Sequence, residues 1–232
     1  MTNSIRNLFS EVPTTYEWVN HILTFGLDIL WRRRAAGIAA MTPGSRWIDM
    51  CTGTGEMALY LAGLAPKDTQ IYGVDFSLPM MREAIRKPDA LHIKLIASDI
   101  KALPFPDKSF DLITISFATR NINVSKGLLL QSFSEFYRVL KPGGRFVNLE
   151  TSRPAFSPLR ICFHLYVKLF VELVGSRISG SGVAYAYLAK TIPRFYPPEA
   201  LADIMHQAGF EGISFKRLLF GIGAIHQAER RE

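Results

Sequence analysis

The chain has 232 residues, 48% of them hydrophobic, so it is long and apolar enough to bury a sizeable core in one domain. Its formal charge of +7 is dispersed, and no RNP, KH or zinc-finger pattern accompanies it, which argues against a nucleic-acid partner. The sequence lacks the run of about 18 apolar residues that a membrane-spanning helix needs.

Only two cysteines occur, Cys51 and Cys162. They are too few for a disulfide framework or a zinc site, so we expect no metal and a reducing compartment. The first six residues lack the apolar core of a signal peptide. Together these features predict a cytoplasmic protein.

The predicted elements begin with a helical region over residues 4 to 41, interrupted near Gly26 and closed by the turn residues 42–44. Strands and helices then alternate. Strands are predicted at 46–50, 71–75, 91–97, 110–116 and 144–150, and helices between them at 56–65, 77–87 and 126–140. This alternation predicts an α/β fold with right-handed crossovers and a mostly parallel sheet.

The apolar, aromatic stretch 155–195 breaks this rhythm, and we interpret it as a helical insert or lid. A helix at 198–208 follows, and two strands near 213–219 and 222–227 are expected to close the sheet antiparallel. The whole chain, 1–232, is therefore expected to form one domain, with residues 1–42 as an N-terminal helical cap.

A glycine turn between the first strand and its helix is the main indication of a ligand. The strand ends near Asp49, the turn contains Gly53, Thr54 and Gly55, and the next strand ends on Asp75. Such a turn, with an acid about 20 residues later, is typical of nucleoside sites, where the acid accepts hydrogen bonds from ribose. The D-x-C-x-G-x-G spacing favours S-adenosylmethionine over a dinucleotide, with Asp49 meeting its ammonium. A packing turn without a ligand is the alternative.

Five stretches together resemble the C-methyltransferases that act on ubiquinone and menaquinone precursors. They are Tyr16–Asn20 with Trp31-Arg32; Asp49–Gly55; Asp99 with Leu103-Pro104-Phe105; Phe110–Asn121; and Arg138–Arg145 with Leu149–Pro154. The sequence departs from the family pattern at Cys51-Thr52, where the family carries Ala-Gly, and at Glu17, where it carries Asp.

The resemblance implies a Rossmann-like fold, S-adenosylmethionine as the cofactor, and C-methylation of an isoprenoid quinol such as demethylmenaquinol. It implies a cofactor site made of Asp49, Gly53, Thr54, Gly55, Asp75, Phe76, Asp99, Ile100 and Ser116. Within it, Asp75 would bind the ribose, Asp99 the adenine amino group, and Ser116 would lie near the methionine part.

The ring carbon of a quinol becomes nucleophilic when its neighbouring hydroxyl ionises, which requires a base or a cation because a phenol has a pKa near 10. Arg120 is the candidate that would hold the phenolate, Asn121 would orient the ring hydroxyl, and Tyr16 would close the pocket. Each has a structural alternative: Arg120 in a salt bridge, Asn121 in a turn, and Tyr16 in the core.

The aromatic segment 156–175 is either plain core or the cap of an apolar tunnel that opens toward a membrane. In the second case a set of basic residues would face anionic lipid: Arg32, Arg33, Arg34, Arg160 and Lys168. Peripheral membrane contact and a homodimer are both expectations of this kind. The alternatives left open are methylation of another hydrophobic small molecule (a sterol, phenolic or polyketide), methylation of RNA, and non-catalytic binding of S-adenosylmethionine or lipid.

Overall fold

The computed structural model describes residues 13–171 and 182–231. Two helices come first, α1 (Pro13–Leu23) and α2 (Leu27–Ala39). The turn between them contains Phe25 and Gly26, both with positive φ (52° and 74°). The predicted helical region is therefore two helices, broken near Gly26 as expected, and its first residues lie outside the described part of the chain.

Strands and helices then alternate as predicted, and the chain closes with helices and two further strands. In chain order the elements are β1 (Arg46–Met50), α3 (Glu56–Leu64), β2 (Gln70–Asp75), α4 (Leu78–Ile85), β3 (Ile93–Ala97), β4 (Phe110–Ser116), α5 (Thr119–Ile122), α6 (Lys126–Val139), β5 (Leu140–Thr151), α7 (Ser157–Tyr166), α8 (Gly182–Thr191), α9 (Pro198–Gln207), β6 (Glu211–Leu218) and β7 (Gly223–Glu229). Helix α7 runs on into a π-helical turn, Val167–Val171.

The strands form one seven-stranded sheet in the order β3-β2-β1-β4-β5-β7-β6. The first five are mutually parallel, and β7 is antiparallel to both β5 and β6. The mostly parallel sheet with an antiparallel C-terminal strand is thus confirmed, although β6 runs in the same direction as β5. The strand order reverses between β1 and β4, and ligands of such sheets bind outside the carboxyl ends of the strands at that point.

Helices cover both faces of the sheet because the central strands are apolar on both sides. One buried cluster joins the sheet to α6 and α9, with large residues such as Phe110, Phe133 and Phe146. The other joins it to α2 and α3 through Trp31 and Trp47, among others. Each such side chain contributes about 1.5–3 kcal/mol when fully buried, so the sheet edge that carries the site rests on a packed core.

A third cluster joins α1 to α4 and to the segment after β5. Its buried members are Val19, Leu23, Met80, Val167, Val171 and Leu188. The hydroxyl of Tyr166 also donates to the carbonyl oxygen of Leu23 at 2.5 Å. The N-terminal helices and the insert therefore pack against each other over the carboxyl ends of the strands. In the described ranges no helix is both long and apolar enough to cross a membrane.

Candidate active site

The glycine turn after β1 has a backbone conformation that residues other than glycine rarely adopt. Cys51, Gly53 and Gly55 all have positive φ, at 53°, 56° and 82°. A Cβ on Gly55 would also come within 3.1 Å of the Cβ of Ala84 on α4. The tight turn brings the first N–H groups of α3 to the sheet edge, where a helix N-terminus favours anionic ligand groups.

Asp75 at the end of β2 holds this turn in place. Its Oδ2 accepts a hydrogen bond from the backbone N–H of Gly53 at 2.8 Å, and its Oδ1 accepts one from Ser77 at 2.8 Å. Burial raises the pKa of Asp75, while these backbone N–H groups oppose that rise. Each carboxylate oxygen keeps a lone pair, so the carboxylate can still accept from ligand hydroxyls.

A small cavity, here called the turn cavity, opens between the glycine turn and the ends of β2 and β4. Most of the cofactor residues implied by the resemblance line it: Gly53, Thr54, Asp75, Phe76 and Ser116. Asn121 lines it too, and its Oδ1 is buried without a hydrogen-bond partner among the described residues. A ligand that donates hydrogen bonds here would satisfy that oxygen, as the hydroxyl and ammonium groups of S-adenosylmethionine can.

Other residues predicted for the cofactor site lie outside the lining of the turn cavity. Asp49 is buried behind the turn, where it accepts a hydrogen bond from Thr114 Oγ1 at 2.7 Å, and burial raises its pKa to about 7. The side chain of Asp99 is half-exposed and accepts from the backbone N–H of Lys101 at 3.1 Å. Ile100 is packed into the core, and Gly55 caps α3. Their contacts with the cofactor stay predictions.

The departures from the family pattern at Cys51 and Thr52 lie directly on the turn cavity. Burial raises the pKa of the Cys51 thiol well above its usual value, so this side chain remains a neutral thiol. A Cβ on Gly73 would lie 3.0 Å from the Thr52 methyl carbon, so Thr52 packs closely on β2. The two residues therefore narrow the turn cavity with neutral groups and leave its charges unchanged.

A larger cavity of about 370 Å³, here called the apolar cavity, adjoins the turn cavity. The helices α1, α2 and α7, with the turn between α1 and α2, supply most of its wall, with apolar residues such as Leu23, Phe163 and Tyr166. Two residues, Arg32 and Phe117, line both cavities. The guanidinium carbon of Arg32 lies 4.8 Å from the centre of the Phe117 ring, so the stacked pair forms the common wall.

Arg120 lines the apolar cavity and forms hydrogen bonds with two residues of β5. Its backbone N–H donates to Glu150 Oε2 at 3.0 Å, and its guanidinium donates to Thr151 Oγ1 at 3.0 Å and lies 3.5 Å from Glu150 Oε1. Asn121, the next residue, lines the turn cavity instead. The Arg120-Asn121 pair therefore contributes one side chain to each cavity. Tyr16 belongs to α1, but its side chain lies outside what the structure describes.

Sequence reasoning missed a group of charged residues from three helices, here called the charge network: His21, Asp28, Arg32 and Glu56. Asp28 Oδ2 lies 2.7 Å from His21 Nδ1 and accepts from the Arg32 guanidinium at 2.6 Å. Glu56 lies 3.3 Å from Arg32 and 3.5 Å from His21. The spacing of Asp28 and Arg32, one helical turn apart, is the sequence signal that could have revealed this pairing.

The charge network overturns one expectation. Arg32 was predicted to face lipid as part of the Arg32–Arg34 triplet, and this was wrong, because Arg32 is only 6% exposed and is paired with Asp28 and Glu56. Its neighbours Arg33 and Arg34 are exposed, as the prediction required. A helix turns by about 100° per residue, so adjacent arginines point to different environments.

Comparison with known proteins shows the fold and the family of the chain. The fold is that of S-adenosylmethionine-dependent methyltransferases of known structure. A possible histamine N-methyltransferase from Thermotoga maritima has the same fold, with a TM-score of 0.69 at 18% identity, covering 98% of this chain and 100% of that one. The model of the ubiE/COQ5 methyltransferase family matches residues 1–230, so the chain belongs to that family.

Two curated relatives are similar over almost their full length. The chain is 40% identical over 226 residues to a demethylmenaquinone methyltransferase of Thermus thermophilus, covering 96% of this chain and 100% of the relative. It is 36% identical over 231 residues to a ubiquinone/menaquinone biosynthesis C-methyltransferase of Geobacter sulfurreducens, covering 97% and 88%. The predicted family, the methyltransferase activity and S-adenosylmethionine as the cofactor are confirmed.

Proposed function

We propose that this protein methylates a ring carbon of demethylmenaquinol or a related isoprenoid quinol. The observation that carries the proposal is the pair of adjoining cavities. The turn cavity, with Asp75 and Ser116, suits a nucleoside with a polar amino-acid end. The apolar cavity suits a lipophilic ring and the start of its tail, and Arg120 is one of its few charged residues. The relatives named above support the choice of a quinol.

S-adenosylmethionine, when bound, supplies a methyl group on a sulfonium, which is electrophilic. The chain must then make the ring carbon nucleophilic by stabilising the phenolate, and Arg120 is the residue we assign to this task. The carbon–carbon bond forms as the sulfonium carbon–sulfur bond breaks, and the one proton that the reaction releases passes to water. Its guanidinium lies at an apolar wall, where a cation stabilises a phenolate more strongly than it would in water. Glu150 and Thr151 hold Arg120 in place, so its orientation is set before the substrate enters.

The remaining assignments follow the two cavities. Asp75 is assigned to the ribose hydroxyls, with Gly53, Thr54 and Phe76 around the cofactor and Ser116 near its methionine part. Asn121 lines the turn cavity, and its amide oxygen has no hydrogen-bond partner among the described residues, so we assign it to the cofactor instead of the ring hydroxyl. Tyr16 keeps its proposed role at the pocket entrance.

We further propose that the chain is one domain in which α1, α2 and the insert 155–195 act as a cap and lid. The rings of Phe25 and Phe170 are stacked with centroids 6.1 Å apart, and Tyr166 bonds Leu23 across the same contact. Leu23, Phe25 and Tyr166 of this contact line the apolar cavity. A tailed substrate would enter by separating α1 from α7.

Peripheral membrane contact is part of the proposal, because α7 is apolar on two sides. Its inner side lines the apolar cavity. Ile161 and Leu165, with Leu169 on the π-helical turn that follows, form an outer stripe that is 66%, 54% and 57% exposed. Exposed apolar side chains that lie next to one another usually mark a surface that contacts protein or lipid. Arg160 and Lys168 precede two of these residues in sequence and would meet anionic headgroups.

The direct test uses purified protein with S-adenosylmethionine and a short-chain demethylmenaquinol in detergent micelles. Mass spectrometry should find a product heavier by one methylene unit, and the methyl group should be on a ring carbon. A matched incubation with the di-O-methylated quinol, in which neither hydroxyl can ionise, should give no product. Methylation of both compounds at equal rates would contradict the phenolate mechanism.

A further inference from the structure

Arg32 and Glu56 stand in the wall of the turn cavity with no role in the mechanism above. We propose that these two residues bind the amino-acid end of S-adenosylmethionine, with the Arg32 guanidinium facing its carboxylate and the Glu56 carboxylate facing its ammonium. The inference rests on the cofactor part of the proposed function and is independent of which molecule accepts the methyl group.

The contacts of Arg32 leave one end of its guanidinium for a ligand. Nη1 is held by Asp28 Oδ2 at 2.6 Å, whereas Nη2 has a looser contact with Glu56 Oε2 at 3.3 Å. Asp28 does not line the turn cavity, but Arg32 and Glu56 both do. A ligand carboxylate can therefore approach Nη2 while Asp28 keeps the guanidinium fixed.

The Glu56 carboxylate is the matching half of the pair. It begins α3, next to the backbone N–H groups that favour a ligand anion. Buried charges are costly unless they are paired, and among the described residues the ion pairs of Glu56 are contacts of 3.3 and 3.5 Å to Arg32 and His21. A ligand that carries one ammonium and one carboxylate would improve the pairing of both Glu56 and Arg32.

Asp49, the residue predicted for the ammonium, is less suited to this task. It is 1% exposed, it is absent from the lining of the turn cavity, and it already accepts from Thr114. A metal ion is an unsuitable occupant as well, although His21, Asp28 and Glu56 bring their ligand atoms within 4.8 Å of one another. The Arg32 guanidinium already contacts both carboxylates, so it would repel a second cation.

The test compares three ligands by calorimetry: S-adenosylmethionine, its decarboxylated analogue, and methylthioadenosine, which lacks the amino-acid end. Arg32→Gln should weaken the binding of S-adenosylmethionine by roughly tenfold to a hundredfold, the range for a charged hydrogen bond. The affinity for the decarboxylated analogue should not change. Glu56→Gln should lower the affinities for S-adenosylmethionine and for the decarboxylated analogue by a similar factor, because both ligands carry the ammonium. Neither variant should change the affinity for methylthioadenosine.

Methylthioadenosine binding also reports that each variant is folded. If Arg32→Gln is not folded, Arg32→Lys replaces it, and because lysine cannot donate to Asp28 and to the ligand carboxylate in the same forked geometry, it should still weaken binding of S-adenosylmethionine but not of the decarboxylated analogue. The exposed neighbour Arg33 provides the matched control, and Arg33→Gln should bind all three ligands like the wild type. Equal losses for all three ligands, or none, would overturn the inference.

The outcome separates this inference from the proposed function. A wild-type protein that binds S-adenosylmethionine but does not methylate the quinol would contradict the function and leave Arg32 and Glu56 as cofactor ligands. Quinol methylation by a protein whose Arg32 and Glu56 variants bind all three ligands normally would contradict the inference alone.

Discussion

Arg120 and Glu150 are joined through both backbone and side chain: Glu150 Oε2 accepts from the backbone N–H of Arg120 at 3.0 Å, and Oε1 lies 3.5 Å from its guanidinium. Both side chains are buried. The pair links the segment after β4 to the end of β5 and places a fixed cation at the wall of the apolar cavity. A buried pair of this kind is costly to break but does not by itself indicate stability gained.

The first prediction concerns Arg120. Arg120→Lys should keep the charge beside Glu150 but lose the planar, forked geometry, so turnover should fall roughly a hundredfold, as when one preorganised donor is removed. The affinity for S-adenosylmethionine, measured by calorimetry, should stay close to that of the wild type because Arg120 does not line the turn cavity. Unchanged turnover would contradict the role assigned to Arg120.

The second prediction concerns Asp75. Asp75→Asn replaces one of the two carboxylate oxygens that accept hydrogen bonds from Gly53 and Ser77. It also weakens the hydrogen bonds that the side chain accepts from the ribose hydroxyls, so the affinity for S-adenosylmethionine should fall roughly tenfold or more. Methylthioadenosine also carries the ribose, and its affinity should fall by the same factor. Asp99→Asn, at a half-exposed carboxylate, should have the smaller effect on both ligands. A loss confined to S-adenosylmethionine would assign Asp75 to the amino-acid end instead.

The third prediction concerns pH. Burial raises the pKa of Asp49 from 3.8 to about 7, so the folded protein favours the protonated form. Its contribution to stability is therefore complete below about pH 4 and is lost as pH rises through about 7. Asp49→Asn cannot ionise, so its melting temperature should fall less than that of the wild type between about pH 5 and pH 8. If the melting temperatures of the two proteins changed equally with pH across this range, the raised pKa of Asp49 would be contradicted.

The fourth prediction concerns the membrane face. Replacing the outer stripe, Ile161, Leu165 and Leu169, by serine should abolish flotation with anionic vesicles, because these apolar side chains would no longer enter the lipid. Arg160→Gln with Lys168→Gln should weaken binding by about 1 kcal/mol per charge and reduce its dependence on salt. Leu91→Ser, at a residue 92% exposed elsewhere on the surface, is the control and should bind normally. Flotation that is unaffected by the stripe variant would exclude α7 as the lipid-binding surface.

Much of the fold could be predicted from the sequence because hydrophobic periodicity and turn residues are local signals. The bounds of β1 and β4 agree with the predicted ranges 46–50 and 110–116. The direction of β6 could not be predicted, because it depends on which strand inserts between β5 and β6 in the sheet. Sheet order is a long-range property that the periodicity of a single strand does not contain.

The candidate site also has one part that the sequence predicts and one part that it does not. Asp75 and Gly53 belong to a contiguous strand–turn–helix unit, so their proximity followed from the motif. Arg32 and Glu56 come from different helices and meet only when α2 packs on α3. Their separate positions in the sequence carry no sign of this contact, and the neighbouring arginines made Arg32 resemble a surface residue.

The central claim, methylation of an isoprenoid quinol, is tested most directly by mass spectrometry of the quinone pool in a strain from which the gene has been deleted. The account predicts accumulation of a quinone lighter by one methylene unit, restored to the normal mass by the wild-type gene but not by the Arg120→Lys variant. A deletion strain whose quinones all keep their normal mass would contradict it.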